Sequence, residues 1–205
     1  MIHKKILIII IGLLLLDSGI YLMNVSDGPE NEGESDLNIV VTIPPQKEFV
    51  QEIGGDKVKI TLMVPPGQDP HSYEPRSSQM REVAKADMYF KVGSGIEFEK
   101  TWMDTLREYN EDMKIIDGAE GIELIEMGGH DDHGHDKEEL DPHIWLSPKN
   151  ALKMIDNLAV GMIGLDPDNE DFYSENMEDY KDKLRELDSE LESELSIYQG
   201  EEFLV

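Results

Sequence analysis

Four short apolar runs, Leu37–Thr42 (LNIVVT), Val58–Val64, Met88–Val92 (MYFKV) and Met113–Ile116, alternate with stretches of helical period, and that alternation leaves few folds open. A continuous apolar run of this length reads as a strand buried on both faces. Between the first two runs, Phe49, Val50 and Ile53 fall on one helical face, and Gly54-Gly55 stops the helix. Pro65-Pro66-Gly67 ends the second run. Ser77 and Ser78 can cap a helix in which Met80, Val83 and Ala84 face inward. After the Gly93-Ser94-Gly95 turn, Glu97 to Tyr109 reads as a helix with Phe98, Trp102 and Leu106 on one side. Strands spaced by helices predict the α/β class, a mostly parallel sheet flanked by helices. In such folds ligands bind beyond the carboxyl ends of the strands.

From Ser147 the pattern turns helical. Ser147-Pro148 opens a helix with an apolar stripe of Leu152, Ile155, Leu158, Ala159 and Ile163, broken by Asp166-Pro167. A long helix from about Asp168 to Tyr198 follows. Its apolar positions, Tyr173, Met177, Tyr180, Leu184, Leu187, Leu191, Leu195 and Tyr198, step by three or four and predict one stripe against a partner surface. At roughly 45 Å it is long enough to connect two bodies; a coiled coil is the competing reading. Met80, Met103, Met154 and Met177, with Tyr180 and Tyr198, read as packing residues, and Glu97 and Glu99 as a solvated helix face. Glu201-Glu202-Phe203-Leu204-Val205 reads as the start of a strand belonging to a second lobe that the chain lacks. The expected organisation is thus a lobe over 37–147, helices including the connecting one over 148–200, and the opening of another lobe over 201–205.

Two segments precede the lobe. Residues 1–25 begin with Lys4-Lys5 and an uncharged run from Ile6 to Leu16, the pattern of an export signal, cleaved or kept as a membrane anchor. Residues 26–36 (SDGPENEGESD) carry acids, glycine and proline with no apolar period, and read as a flexible linker. The protein is therefore expected outside the cytoplasm, tethered or secreted. Acidic residues outnumber basic ones 45 to 18, for a net charge of −27, which excludes nucleic-acid binding through phosphate contacts. There is no cysteine, so thiolate zinc sites, thiol nucleophiles, disulfides and lipid anchors on cysteine are excluded too.

Two tripeptides match: Asp69-Pro70-His71 and Asp141-Pro142-His143. Each proline stiffens the turn from which its histidine leaves, and imidazole nitrogen suits zinc. The neighbouring aspartates can hold the far ring nitrogen or cap the turn locally. Gly128 to Asp136 adds His130, His133 and His135 among three aspartates, a histidine-rich tract of the kind that binds metal, though more weakly than a preformed site. The competing readings are that each histidine simply caps its turn and that the tract is an ordinary solvated loop. No G-x-S-x-G elbow, P-loop, dinucleotide fingerprint or H-E-x-x-H occurs, so enzymatic chemistry is not expected.

VPPGQDPHSYEP and DPHIWLSP, together with ADMYFKVGSGIE, the histidine-rich loop and FYSENMEDYKDKL, resemble the metal-binding receptor family of zinc and manganese ABC importers over about Leu37 to Val205. Members have two lobes joined by one long helix. The resemblance implies that His71 and His143 are the first two of four metal ligands, with the others in the second lobe. The loop bearing His130, His133 and His135 implies zinc as the transported ion and makes manganese the less expected one, in keeping with the preference of manganese for carboxylates. The resemblance also implies an ABC permease as partner; the product of an adjacent reading frame is one conceivable source for the second lobe.

The leading expectation is a zinc-capturing solute-binding protein, binding less tightly as pH falls through roughly 6.5, where imidazoles protonate. The alternatives are a truncated remnant with weak or no capture, a metal-dependent adhesion or scaffold protein, and a metal-dependent hydrolase, for which no carboxylate-base constellation is found.

Overall fold

A computed structural model of the chain describes residues 37–127 and 139–198, all within one compact unit spanning Ser35–Val205. The export segment, the linker, the 128–136 loop with His130, His133 and His135, and residues 201–205 lie outside the described residues.

Four strands, β1 (Leu37–Val41), β2 (Val58–Leu62), β3 (Met88–Lys91) and β4 (Lys114–Asp117), form one sheet in the order β2-β1-β3-β4. Every pairing in it is parallel, with Ile39 opposite both Ile60 and Met88 and Tyr89 opposite Ile115. The period-two alternation of a strand sorts the side chains onto two faces. Leu37, Ile39, Val41, Met88, Phe90 and Val92 join one core cluster; Val40 and Tyr89 join the other.

The helices cover both faces. Helix α1 (Pro44–Gly54) brings Phe49, Val50 and Ile53 onto the first cluster, while α2 (Ser77–Val83) and α3 (Glu97–Tyr109) bring Val83, Phe98 and Leu106 onto the second. Helix α4 (Pro148–Leu165) adds Ala151, Met154, Ile155, Leu158 and Met162 to the first face. Its N-cap is Ser147, whose Oγ accepts the Asn150 N–H, with Pro148 in the first turn where its missing N–H costs nothing. The predicted α/β class, with a mostly parallel sheet flanked by helices, is the architecture found.

Local details differ from the periodicity reading. Ala84 is exposed and Ala86 is buried instead, because α2 ends at Val83 and the chain turns there toward β3. A two-stranded antiparallel ribbon, β5 (Glu126–Met127) with β6 (Glu139–Leu140), was not anticipated; strands of two residues carry no usable period.

The long helix α5 runs Glu170–Leu195, 26 residues, followed by a 3-10 turn at Ser196–Tyr198. At 1.5 Å per residue it is about 39 Å long. Its stripe is divided. Tyr173 and Tyr180 are buried, and Met177 and Leu184 pack beside them, on a surface made by α1 and α4. Asn176 donates to the Ile53 carbonyl, Tyr180 donates to Glu48, and Lys181 pairs with Asp156. Leu187, Leu191, Leu195 and Tyr198 are exposed, so the expectation of a uniformly packed stripe, and of Tyr198 as a packing residue, holds only for the first half.

The exit of β3 depends on one glycine. Gly93 has φ +82°, and a Cβ there would overlap Oδ1 of Asp117, itself held by Lys91 and the Ala119 N–H. Gly93→Ala adds the roughly 1–2 kcal/mol cost of a left-handed residue to the displacement of that carboxylate. The expected loss is about 2–3 kcal/mol, read as a lower denaturant midpoint. An unchanged midpoint would mean that the β3 exit takes another backbone conformation.

Candidate metal centre

All four strands point their carboxyl ends at one edge of the sheet, and β1 has a neighbour on each side, so the strand order reverses between β1 and β3. Adjacent loops diverge at such a switch point and leave a crevice. A cavity of about 470 Å³ lies there. The loop after β1 and the start of α1 contribute Ile43, Pro44 and Pro45, and the loop after β3 and the start of α3 contribute Gly95, Ile96 and Glu97. The chain after β2 brings Asp69, Pro70 and His71. The segment beyond β6 brings Pro142, His143 and Trp145. Asp69, Pro70 and His71 of the first Asp-Pro-His tripeptide, and Pro142 and His143 of the second, 72 positions on, thus line one cavity.

Both tripeptides make the same local turn. Oδ1 of Asp69 accepts the His71 backbone N–H at 3.0 Å, and Oδ1 of Asp141 accepts that of His143 at 2.9 Å. The proline between cannot donate, so the aspartate reaches past it to the next amide. The motifs then diverge. Asp69 turns its other oxygen to the Ser72 hydroxyl. Asp141 also meets Nδ1 of His143 at 2.8 Å, which leaves Nε2 as the ring nitrogen for a ligand. The N–H bond and the ring contact from His143 hold the Asp141 carboxyl below its ordinary range. Trp145 packs edge-on against the His143 ring, centroids 5.4 Å apart. Both histidines are exposed to solvent at the cavity.

Among the described residues no group of three or more histidine, aspartate or glutamate side chains is gathered closely enough to hold an ion. Two imidazoles leave half of a tetrahedral shell to other donors. Glu97 is the further carboxylate on the cavity wall, 3.6 Å from Nζ of Lys100 on the same helix.

Beneath the cavity lies a polar layer that corrects the solvated-face reading of Glu99. Glu99 is 7% exposed. Its Oε1 accepts the Val92 N–H at 2.6 Å and the Thr42 hydroxyl, and its Oε2 accepts the Gly93 N–H at 3.0 Å. Burial pushes this carboxyl up from its ordinary value, against the opposing pull of those bonds and of Lys91. Tyr89, whose hydroxyl meets Thr42 at 2.9 Å, is raised well above the phenol range by burial and then by Glu99. Gln46 takes the Thr42 and Ile43 N–H groups on its amide oxygen and donates to the Phe90 carbonyl. Ser94, fully buried, donates to the Pro142 carbonyl. Among the described residues no buried side-chain nitrogen or oxygen lacks a partner. Periodicity could have exposed two of these groups: Gln46 is in phase with Phe49, Val50 and Ile53, and Glu99 with Trp102 and Leu106, so both face inward.

A parallel α/β lobe with imidazoles at its switch point, followed by one long helix, has the form of a single lobe of a solute-binding protein. The family model for ZnuA, zinc-uptake complex component A, periplasmic, matches residues 39–205. A manganese ABC transporter substrate-binding lipoprotein, PsaA of Streptococcus anginosus, is 31% identical over 175 residues, 82% of this chain and 55% of that protein. The zinc-binding lipoprotein AdcA of Streptococcus pneumoniae is 30% identical over 199 residues, 93% of this chain and 39% of its own length. Among solved structures, a zinc-bound ZnuA deletion mutant aligns with TM-score 0.71 at 39% identity, covering 78% of this chain and 58% of the other. A manganese-bound periplasmic metal-binding protein from Candidatus Liberibacter asiaticus aligns at 0.67 and 28%, covering 77% and 56%. The chain belongs to this family of extracytoplasmic, non-catalytic substrate-binding proteins of metal ABC transporters. It spans about half the length of the streptococcal manganese lipoproteins it matches.

Proposed function

We propose that the chain captures zinc outside the membrane and delivers it to an ABC permease, with His71 and His143 as ligands. The observation that carries this reading is that both Asp-Pro-His turns open into the same switch-point cavity. The orientation of the His143 ring by Asp141 supports it further, since a carboxylate on Nδ1 raises the basicity of the opposite nitrogen. His130, His133 and His135 would assist by collecting the ion, and water would complete the shell. The ion is cargo, and no bond of a substrate is made or broken.

Zinc is preferred over manganese on donor chemistry, because imidazole is a borderline ligand and manganese favours carboxylate oxygen. The competing observation is that relatives include both zinc-binding and manganese-transporter proteins, and that Glu97 and Asp69 line the same wall. Competitive titration of the full chain with Zn²⁺ and Mn²⁺ decides between them. We expect zinc to bind at least about tenfold tighter, as the Irving–Williams order and the imidazole donors both require. Equal or tighter manganese binding would reverse the assignment. An absence of micromolar binding for either ion would leave the remnant reading.

A further inference from the structure

We infer that Ser94 is a positioning residue for His143, acting through the peptide bond that joins Pro142 to it. This rests on the reading of His143 as a ligand. The Pro142–His143 peptide unit is gripped on both sides: Ser94 Oγ donates to its carbonyl oxygen, and Asp141 Oδ1 accepts its N–H at 2.9 Å. In a trans peptide these two groups point in opposite directions, so the two contacts together resist rotation of the plane. The proline also fixes φ on the amino-terminal side of that plane, so the turn that carries it is stiff. Rotation of that plane would swing the Cα–Cβ bond of His143 and re-aim the ring.

Ser94 is itself held. It is fully buried, and the two residues before it, Val92 and Gly93, give their N–H groups to the buried Glu99 carboxylate. That carboxylate also takes the Thr42 hydroxyl from the loop after β1. The path from the core to the ligand is therefore continuous: the Glu99 side chain, the Val92–Gly93 backbone, the Ser94 hydroxyl, the Pro142 carbonyl, then His143. It crosses from the β3 exit to a turn 48 residues further along the chain. A preorganised ligand loses less freedom on binding, so a side chain that fixes its direction raises affinity without touching the ion.

The test is a zinc titration of the full chain carrying His130→Ala, His133→Ala and His135→Ala, so that only the cavity is read. On this background Ser94→Ala should weaken zinc about tenfold, the lower part of the range for partners of a metal ligand. The effect should persist with His71→Ala and vanish with His143→Ala, because a contact that acts through His143 has nothing to act on once that ring is gone. Ser94→Cys, nearly the same shape but a weak donor, should fall between serine and alanine. An equal Ser94→Ala effect with and without His143, or no effect although His143→Ala itself weakens zinc, overturns the proposal. Imidazole NMR without metal separates this from failure of the ligand reading. If His143→Ala leaves zinc binding intact while Ser94→Ala still shifts the His143 ring resonances and not those of His71, the ligand reading falls and the positioning stands. Unmoved His143 resonances sink the positioning itself.

Discussion

Replacing His71 and His143 together with alanine is expected to weaken zinc binding by more than about 100-fold, the upper range for losing even an outer partner of a ligand. The argument is one of donors. The cavity wall offers two imidazoles and, among the described residues, no third histidine or carboxylate gathered with others into a metal-binding group. Removing both rings removes every nitrogen donor of the Asp-Pro-His turns. Water and the neighbouring carboxylates would be left, a hard oxygen set poorly matched to zinc. Folding should be spared, because both histidines are exposed and neither belongs to a core cluster. Isothermal titration together with a thermal midpoint checks this in one preparation. Binding that survives the double substitution but disappears on deletion of residues 128–136 would assign capture to the loop instead.

The second large effect concerns α5. Tyr173→Ala should destabilise the chain by about 3–5 kcal/mol, the usual cost of removing a buried aromatic ring. Tyr173 has no exposed surface, and its hydroxyl donates to Asp166 at 2.7 Å, tying the start of α5 to the turn that ends α4. Leu195→Ala, at a position of the same apolar stripe, should change stability by no more than about 0.5 kcal/mol, because that side chain is 54% exposed. Urea denaturation of the two variants reads the contrast directly. Comparable losses at both positions would mean that the carboxyl-terminal half of α5 is packed in solution as firmly as the first half.

The paired substitutions illustrate how a sequence pattern and a packing environment part company. Tyr173 and Leu195 obey the same spacing, and spacing reports only that side chains share a helical face. Whether that face meets another element depends on where α1 and α4 run; their apolar surface reaches as far as Leu184, and beyond it Lys149 of α4 meets Asp188 and Glu192 as an ion pair. The polar layer shows a related limit. Glu99 stands two positions from Glu97 in a helix rich in charge, and composition alone places both in solvent. It is buried because its turn of α3 lies over the β3 exit, where the Val92 and Gly93 N–H groups have no strand partner and need an acceptor.

The two proline-stiffened tripeptides were legible as a matched pair, since their geometry is set by residues adjacent in sequence: an aspartate, a proline without a donor, and the next amide. Their meeting in one cavity was not legible from local pattern, because nothing in the 69 residues between the tripeptides encodes a distance.

What the sequence determined alone were features with a short physical range: apolar runs that can only be buried strands, helical stripes, a capped helix start at Ser147, and the stiff turns at His71 and His143. Tertiary structure decided the order β2-β1-β3-β4, and with it the edge at which the loops part, the burial of Glu99 and Ser94, and the point along α5 where packing stops. Those outcomes follow from which surfaces lie opposite one another once the sheet is assembled, and hydrogen bonds such as Ser94 to Pro142 come into being only then.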